Sequence, residues 1–275
     1  MGDHGIRILS LAGLSGGQEW RLRMVHDRPQ HTLLWITRGQ GRLLLNGRLR
    51  GVGVHNAILL PARSLFSLDL GRQGFGQAVL IPPSSSLRLP TDPWQLRVRD
   101  GDAQGELTAL IETAQREQAM KRPLFEDAME AHVALMSVWL RRQIALEQSA
   151  RSTPTDAEAL SARYCQALAR DFASGASVPD YAARLNVSAT QLTQAVQTAT
   201  GRSPADLLAE RLVHAARVML ETSAQSARNI ATHLGFESDA YFARFIQQHT
   251  GKSPDHLRPG AGAAAAAPHA RVRSA

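Results

Sequence analysis

The sequence predicts an α+β multidomain chain: a small β sandwich or barrel with two following helices, then an all-α domain built on an internal repeat. Three observations carry this. Short apolar stretches alternate with turn signals over residues 20–81. The apolar spacing changes to a helical period from residue 104. TGRSP at 200–204 then recurs as TGKSP at 250–254. A chain of 275 residues is long enough for two domains, at roughly 100–200 residues each.

The β part comes first. WRLRMVH, HTLLWITR, GRLLL, RLRGVGV, NAILLP and FGQAVLIP read as strands. Asn46-Gly47 between two of them is a hairpin signal, because a type I′ turn needs positive φ at both central residues. Strands at this spacing suggest a sandwich or barrel. Pro82-Pro83 and Ser84–Ser86 end the pattern.

Two helices are expected next, over 104–120 and 124–147. Leu107, Leu110, Ile111 and Ala114 mark the first. Phe125, Met129, His132, Val133, Met136, Trp139 and Leu140 mark the second. That second stripe suits either its own β domain or a twin helix in a homodimer. The expected division is 1–100 for the β domain, 101–150 for the helical segment, a polar linker at 151–159, a helical domain at 160–259 and a disordered low-complexity tail at 260–275.

The repeat has a mechanical reading. Each copy is a short helix, a tight turn and a second helix. Ser177-Val178-Pro179-Asp180 and Ser188 with Gln191 are capping boxes. Gly201 and Gly251 end helices at the left-handed position that glycine tolerates. Ser203-Pro204 and Ser253-Pro254 then cap and open the next helices. Residues 205–222 form a connecting helix about 27 Å long, near the ~34 Å that separates successive major grooves on one face of DNA. Two copies are too few for a solenoid. On the second helix of each copy, Thr190, Thr193, Gln194 and Gln197, and then Asp239, Ala240 and Arg244, are left facing outward. These are the candidate DNA contacts, with Gln194 suited to adenine and Arg244 to guanine.

VPDYAARLNVSATQL, TGRSPADLLAERLVHAARVML, IATHLGFESDAYFARF and HTGKSP together resemble the AraC/XylS-type transcriptional regulators over about residues 160–258. The resemblance implies a seven-helix domain whose two helix-turn-helix motifs bind double-stranded DNA as one unit. It also implies a cupin-like β barrel at the N-terminus that binds an effector and dimerises, and RNA polymerase as a partner if the protein activates. The chain departs from the family pattern. Gln194, Val196 and Gln197 stand where an Arg and a following Phe-Lys are usual, and Ile246-Gln247 replace a Phe-Lys.

Charge agrees only in part. The net +7 sits mostly in residues 1–100, with 13 Lys/Arg against 6 Asp/Glu, whereas residues 160–258 hold 10 against 8. Counterion release on DNA should therefore be modest. The arginine-rich first strands suggest an organic acid or aromatic effector near Trp20, His31, Trp35 and Arg38. No metal or other cofactor is expected: His26, His31 and His55 lack the HxH and downstream Glu of metal-binding cupins. Cys165 is the single cysteine, which fits a cytoplasmic protein without disulfides. No apolar run reaches the ~18 residues of a membrane span, and the N-terminus lacks the basic n-region of a secretion signal. The competing readings are a cupin-type enzyme fused to a helical domain, and an interaction module that no longer binds DNA. No catalytic residues are assigned.

Overall fold

The computed structural model describes residues 5–148 and 153–259. The tail at 260–275 and the first two residues of the expected linker lie outside them.

The N-terminal half opens with β1 (Arg7–Ser10), α1 (Leu11–Leu14) and α2 (Trp20–Arg23). β2 (His31–Arg38), β3 (Gly41–Leu45), β4 (Arg48–Val52), β5 (Asn56–Leu60), β6 (Phe66–Asp69), β7 (Phe75–Ile81) and β8 (Trp94–Arg97) follow. They form two antiparallel sheets, one in the order β1-β7-β2-β5-β8 and one in the order β4-β3-β6. The β3–β4 hairpin turns at Asn46 and Gly47, with φ of 49° and 67°, as the type I′ reading requires.

Alternation along β2 decides the layers. Leu34 and Ile36 point between the sheets, where Leu43, Leu45, Ile58, Phe66 and Leu80 fill the space. Leu33 and Trp35 point the other way, into a second core under α3 (Gly101–Met120) and α4 (Phe125–Gln148). Among the described residues the two sheets share no strand pairing, so an open sandwich replaces the closed barrel. Its interior is occupied by side chains. The edges of the small sheet are covered instead of joined: α2 lies along β6, and helices of the C-terminal half lie along β4, which protects them from pairing with other chains.

Two further differences from the sequence reading are local. WRLR at 20–23 is a helical turn and not a strand, because packing over β6 overrides its β pattern. β1, β6 and β8, four residues each, were too short to stand out by alternation. The stripe on α4 is spent inside the chain: Met129, Val133, Met136, Trp139 and Leu140 join the core beneath α3, and the Trp139 indole donates to the Ala103 carbonyl at 3.0 Å.

The C-terminal half contains α5 (Asp156–Asp171), a 3-10 turn at Phe172–Ser174, α6 (Val178–Arg184), α7 (Ala189–Thr200), α8 (Pro204–Thr222), α9 (Ala227–His233) and α10 (Asp239–Thr250). α5 begins inside the expected linker, because Thr155 and Glu158 form a capping box. α8 opens as predicted, with Ser203 capping and Pro204 in its first turn. The second copy differs. Ser253-Pro254 opens only a 3-10 turn, Asp255–Leu257, and the Ser253 hydroxyl meets the His256 ring at 2.7 Å. Leu257 then closes the core around α9 and α10.

The halves are packed together. Val25, Leu44 and Leu65 of the β domain belong to the same buried cluster as Tyr164, Leu168, Tyr181 and Leu192. The Ser161 hydroxyl donates to the Gly47 carbonyl at 2.7 Å. Arg48 pairs with Glu158 at 2.7 Å. One face of α8, at Arg211, His214, Arg217 and Glu221, rests on residues 20–28. Arg211 Nε donates to the Asp27 carboxylate at 3.0 Å. Arg21 pairs with Glu221 at 3.1 Å, and Arg217 covers the Trp20 ring at 3.9 Å.

A second close approach joins the two repeat copies. Gly235, in the turn between α9 and α10, has φ of 79°, and a Cβ there would lie 2.5 Å from the Gly175 nitrogen. Gly251 has a similar φ of 72° but open space around it. Gly251→Ala is expected to cost about 1 kcal/mol for the backbone alone. Gly235→Ala should cost roughly 2–4 kcal/mol, since overpacking adds to the strain. Urea unfolding of both variants measures the difference, and equal costs would show that the approach does not constrain the fold.

Candidate nucleic-acid interface

Each motif is held by local chemistry. In the first, the Ser177 backbone and hydroxyl donate to the Asp180 carboxylate at 2.7 and 2.6 Å, and these bonds hold that carboxyl below its ordinary pKa range. Ser188 and Gln191 bond reciprocally at 2.9 and 3.1 Å, which fixes the start of α7. In the second, Ser238 accepts from the Tyr241 amide at 3.2 Å and starts α10. The turns also correspond. Asn186, φ 57°, takes the left-handed place that Gly235 takes in the second copy. Asparagine tolerates that region better than most residues.

The inner faces are buried: Leu192, Ala195 and Val196 on α7, and Phe242 and Ile246 on α10. The outer faces carry every residue singled out from the sequence. Thr190, Thr193, Gln194 and Gln197 are exposed on α7, and Asp239, Ala240 and Arg244 are exposed on α10. Two of them are partly engaged. The Thr193 hydroxyl donates to the Ala189 carbonyl at 2.8 Å, and Asp239 accepts from the Ala240 amide at 2.9 Å. Tyr241 was missed. It is 53% exposed, one turn before Arg244, and the helical period could have placed it there because its neighbour Phe242 faces inward. Arg228 on α9 is also exposed.

The two motifs differ in charge. Around the first, the cations are occupied: Arg170 and Arg184 share Asp171 at 3.1 and 3.7 Å, Arg202 pairs with Glu210, and Arg163 donates to the Leu185 carbonyl at 3.0 Å. Around the second, Arg228, Arg244 and Lys252 make no ion pair among the described residues.

The four effector candidates do not meet. Trp20 lies at the seat of α8 and donates to Gln18 at 2.6 Å. The His31 ring accepts from the Ala62 amide at 3.1 Å. Trp35 is buried, donates to the Thr108 hydroxyl at 3.2 Å and stacks on His55. Arg38 is exposed at the end of β2. His26, His31 and His55 are likewise apart, and among the described residues no group of three or more His, Cys, Asp or Glu is placed to hold a metal ion. Cys165 is buried, and burial pushes its thiol up to about 12. No described helix is long and apolar enough to cross a membrane.

Over 95 residues the chain is 27% identical to the raffinose operon transcriptional regulatory protein RafR of Pediococcus pentosaceus, a stretch covering 34% of each chain. The chain thus matches about a third of that relative's length. Among solved structures, fatty acid-bound ToxT of Vibrio cholerae is similar over 94% of this chain and 96% of its own, at 12% identity and a TM-score of 0.43. The C-terminal domain of the response regulator yesN of Fusobacterium nucleatum covers 38% of this chain and all of its own, at 19% identity and a TM-score of 0.35. Scores this low do not establish a shared fold. The family model described as a helix-turn-helix domain matches residues 181–259, the stretch that runs from α6 to the last turn. The C-terminal part of this chain is a helix-turn-helix domain.

Proposed function

We propose that the protein is a transcriptional regulator that grips double-stranded DNA with α7 and α10 and answers to a small molecule bound by its N-terminal half. The observation that carries the reading is the duplicated motif: two capped second helices, each with an exposed polar face, joined by one helix of 19 residues. The likeness to AraC/XylS-type regulators and the identity with a regulator of the raffinose operon point the same way. The base-facing candidates are Thr190, Thr193, Gln194 and Gln197 on α7, and Asp239, Ala240 and Arg244 on α10. Arg244 is the strongest of these, being exposed and without an ion-pair partner among the described residues.

For the effector, the filled sandwich interior moves attention to an open cleft of about 800 Å³ between β1 and the α3–α4 corner. Ile6, Phe125 and Met129 supply an apolar wall, and Arg7, Gln118, Lys121, Glu126 and Glu130 a polar one of mixed charge. Beside the apolar wall, Lys121 suits the head group of an aromatic or aliphatic acid, with Glu126 and Glu130 disfavouring any second negative charge.

Arg244→Ala should weaken binding to the correct site by ~1–3 kcal/mol and relax the preference at one base pair. Footprinting upstream of neighbouring genes supplies the site, and an unchanged preference in that variant would remove the residue from base reading. With so few unpaired cations, log K should fall against log salt with a slope shallower than about −6; a steeper slope would contradict the charge reading. Calorimetry against a panel of organic acids should show binding that Lys121→Ala weakens several-fold. Silence across the whole panel would rule out the cleft as a carboxylate site.

A further inference from the structure

We propose that the seat of α8 on residues 20–28 is a proton-sensitive latch: the stacked His26–His214 pair adds to the docking of the two halves while both rings are neutral and weakens that docking when the rings take up protons. The rings come from opposite halves of the chain and lie 4.5 Å apart, 13° from parallel.

Their hydrogen bonds fix where added protons would go. His26 Nδ1 lies 2.8 Å from the Met24 carbonyl. A carbonyl only accepts, so that nitrogen carries the hydrogen. Nε2 is then the bare nitrogen of His26, buried and without a partner. His214 Nε2 lies 3.2 Å from the Arg21 carbonyl and donates to it for the same reason, which leaves Nδ1 to take a proton.

The surroundings do not favour charge. Arg21, Asp27 and Arg28 face the pair from the β domain, with Arg63 beyond, and Arg211, Arg217 and Glu221 face it from α8. Both carboxylates are engaged: Asp27 by Arg211, and Glu221 by Arg21 and Arg217. A protonated ring would be a buried cation against its stacked neighbour and several guanidiniums. Burial is the largest cause of the depressed basicity of each ring. For His26, the His214 ring adds to it, and the pKa sits well below the ordinary value. For His214, Arg211 adds to it, and the pKa falls to about 3.

The sign follows. The docked state binds fewer protons than the released state below the ordinary histidine value, so docking is unaffected at alkaline pH and weakens as pH falls. With His214 near its reference pKa when released and at about 3 when docked, the ratio of released to docked chains should rise roughly 25-fold through that ring between about pH 7 and pH 5, and His26 adds in the same direction. Only the consequence for DNA rests on the function proposed above. α8 joins the two motifs, so its release would change how they are held.

The test uses the full chain without DNA, so its outcome is independent of DNA binding. X-ray scattering follows domain separation, circular dichroism follows secondary structure, and histidine NMR follows the two rings. Expected is an expansion between about pH 7 and pH 5 with helix and strand content retained, coupled to uptake of two protons by His26 and His214. His214→Gln keeps a donor for the Arg21 carbonyl, and His26→Phe keeps the packing on Phe66. Each should remove one proton from the transition and shrink its response, His214→Gln by about 25-fold. If one variant misfolds, the other variant and the wild-type NMR titration decide. A chain that stays docked to about pH 5, loss of secondary structure with the expansion, rings that titrate without separation, or an unchanged transition in a folded variant would each overturn the latch.

Discussion

Arg211 is buried between three parts of the chain at once. Its guanidinium pairs with Asp27 of the β domain, lies 3.6 Å over the Phe172 ring in the turn between α5 and α6, and is carried by α8. Burial lowers its pKa, and the Asp27 carboxylate only partly offsets this. Such a pair contributes little net stability, because desolvation consumes most of the attraction. Removing one partner is another matter, since it strands a buried charge at a cost of about 3–5 kcal/mol. The pair therefore acts mainly on geometry. α8 has one seat on the β domain, and any other seat leaves a charge unpaired.

The rest of the interface is built around that seat. Phe172 packs into the core of the first motif and also into the core of the second, so the residue under Arg211 touches both. Gly175, three residues on, lies against Gly235 in the turn of the second motif. Val25, Leu44 and Leu65 extend the first motif's core into the β domain. The two halves are thus continuous in packing.

That continuity was hard to read in the sequence. The repeat, its caps and the turn at Asn46-Gly47 were legible because each depends on a few adjacent residues with narrow backbone preferences. The inner and outer faces of α7 and α10 were legible because helical period alone separates them. The polar stripe Arg211, His214, Arg217 and Glu221 was not, since a charged helix face that meets another polar segment has the same pattern as one that meets water. The same limit applies to WRLR at 20–23, whose alternation reads as a strand although the segment packs over β6 as a helical turn. The four effector candidates lie apart for a related reason: nearness in sequence is not nearness in space, and alternation sends Trp35 under α3 and leaves Arg38 at the strand end.

The uneven charge of the two motifs gives the shared core a role in the proposed function. In that reading the second motif has Arg228 and Lys252 to meet phosphates, beside Arg244 for a base. The first offers threonines and glutamines, with its nearby arginines already paired. Neutral hydrogen-bonding side chains attract DNA weakly at a distance and contribute only when held in register. Ordering a loose reading head on binding would consume much of what those contacts return. The first motif is the one built into the β domain: α5 and α7 lie against β4, and its core reaches Leu44 and Val25. The weaker reader is thus the more firmly held, and α8 carries that fixed position across to the motif with the free cations. A signal that loosens the seat of α8 would cost the first motif more than the second, because geometry is most of what the first one has.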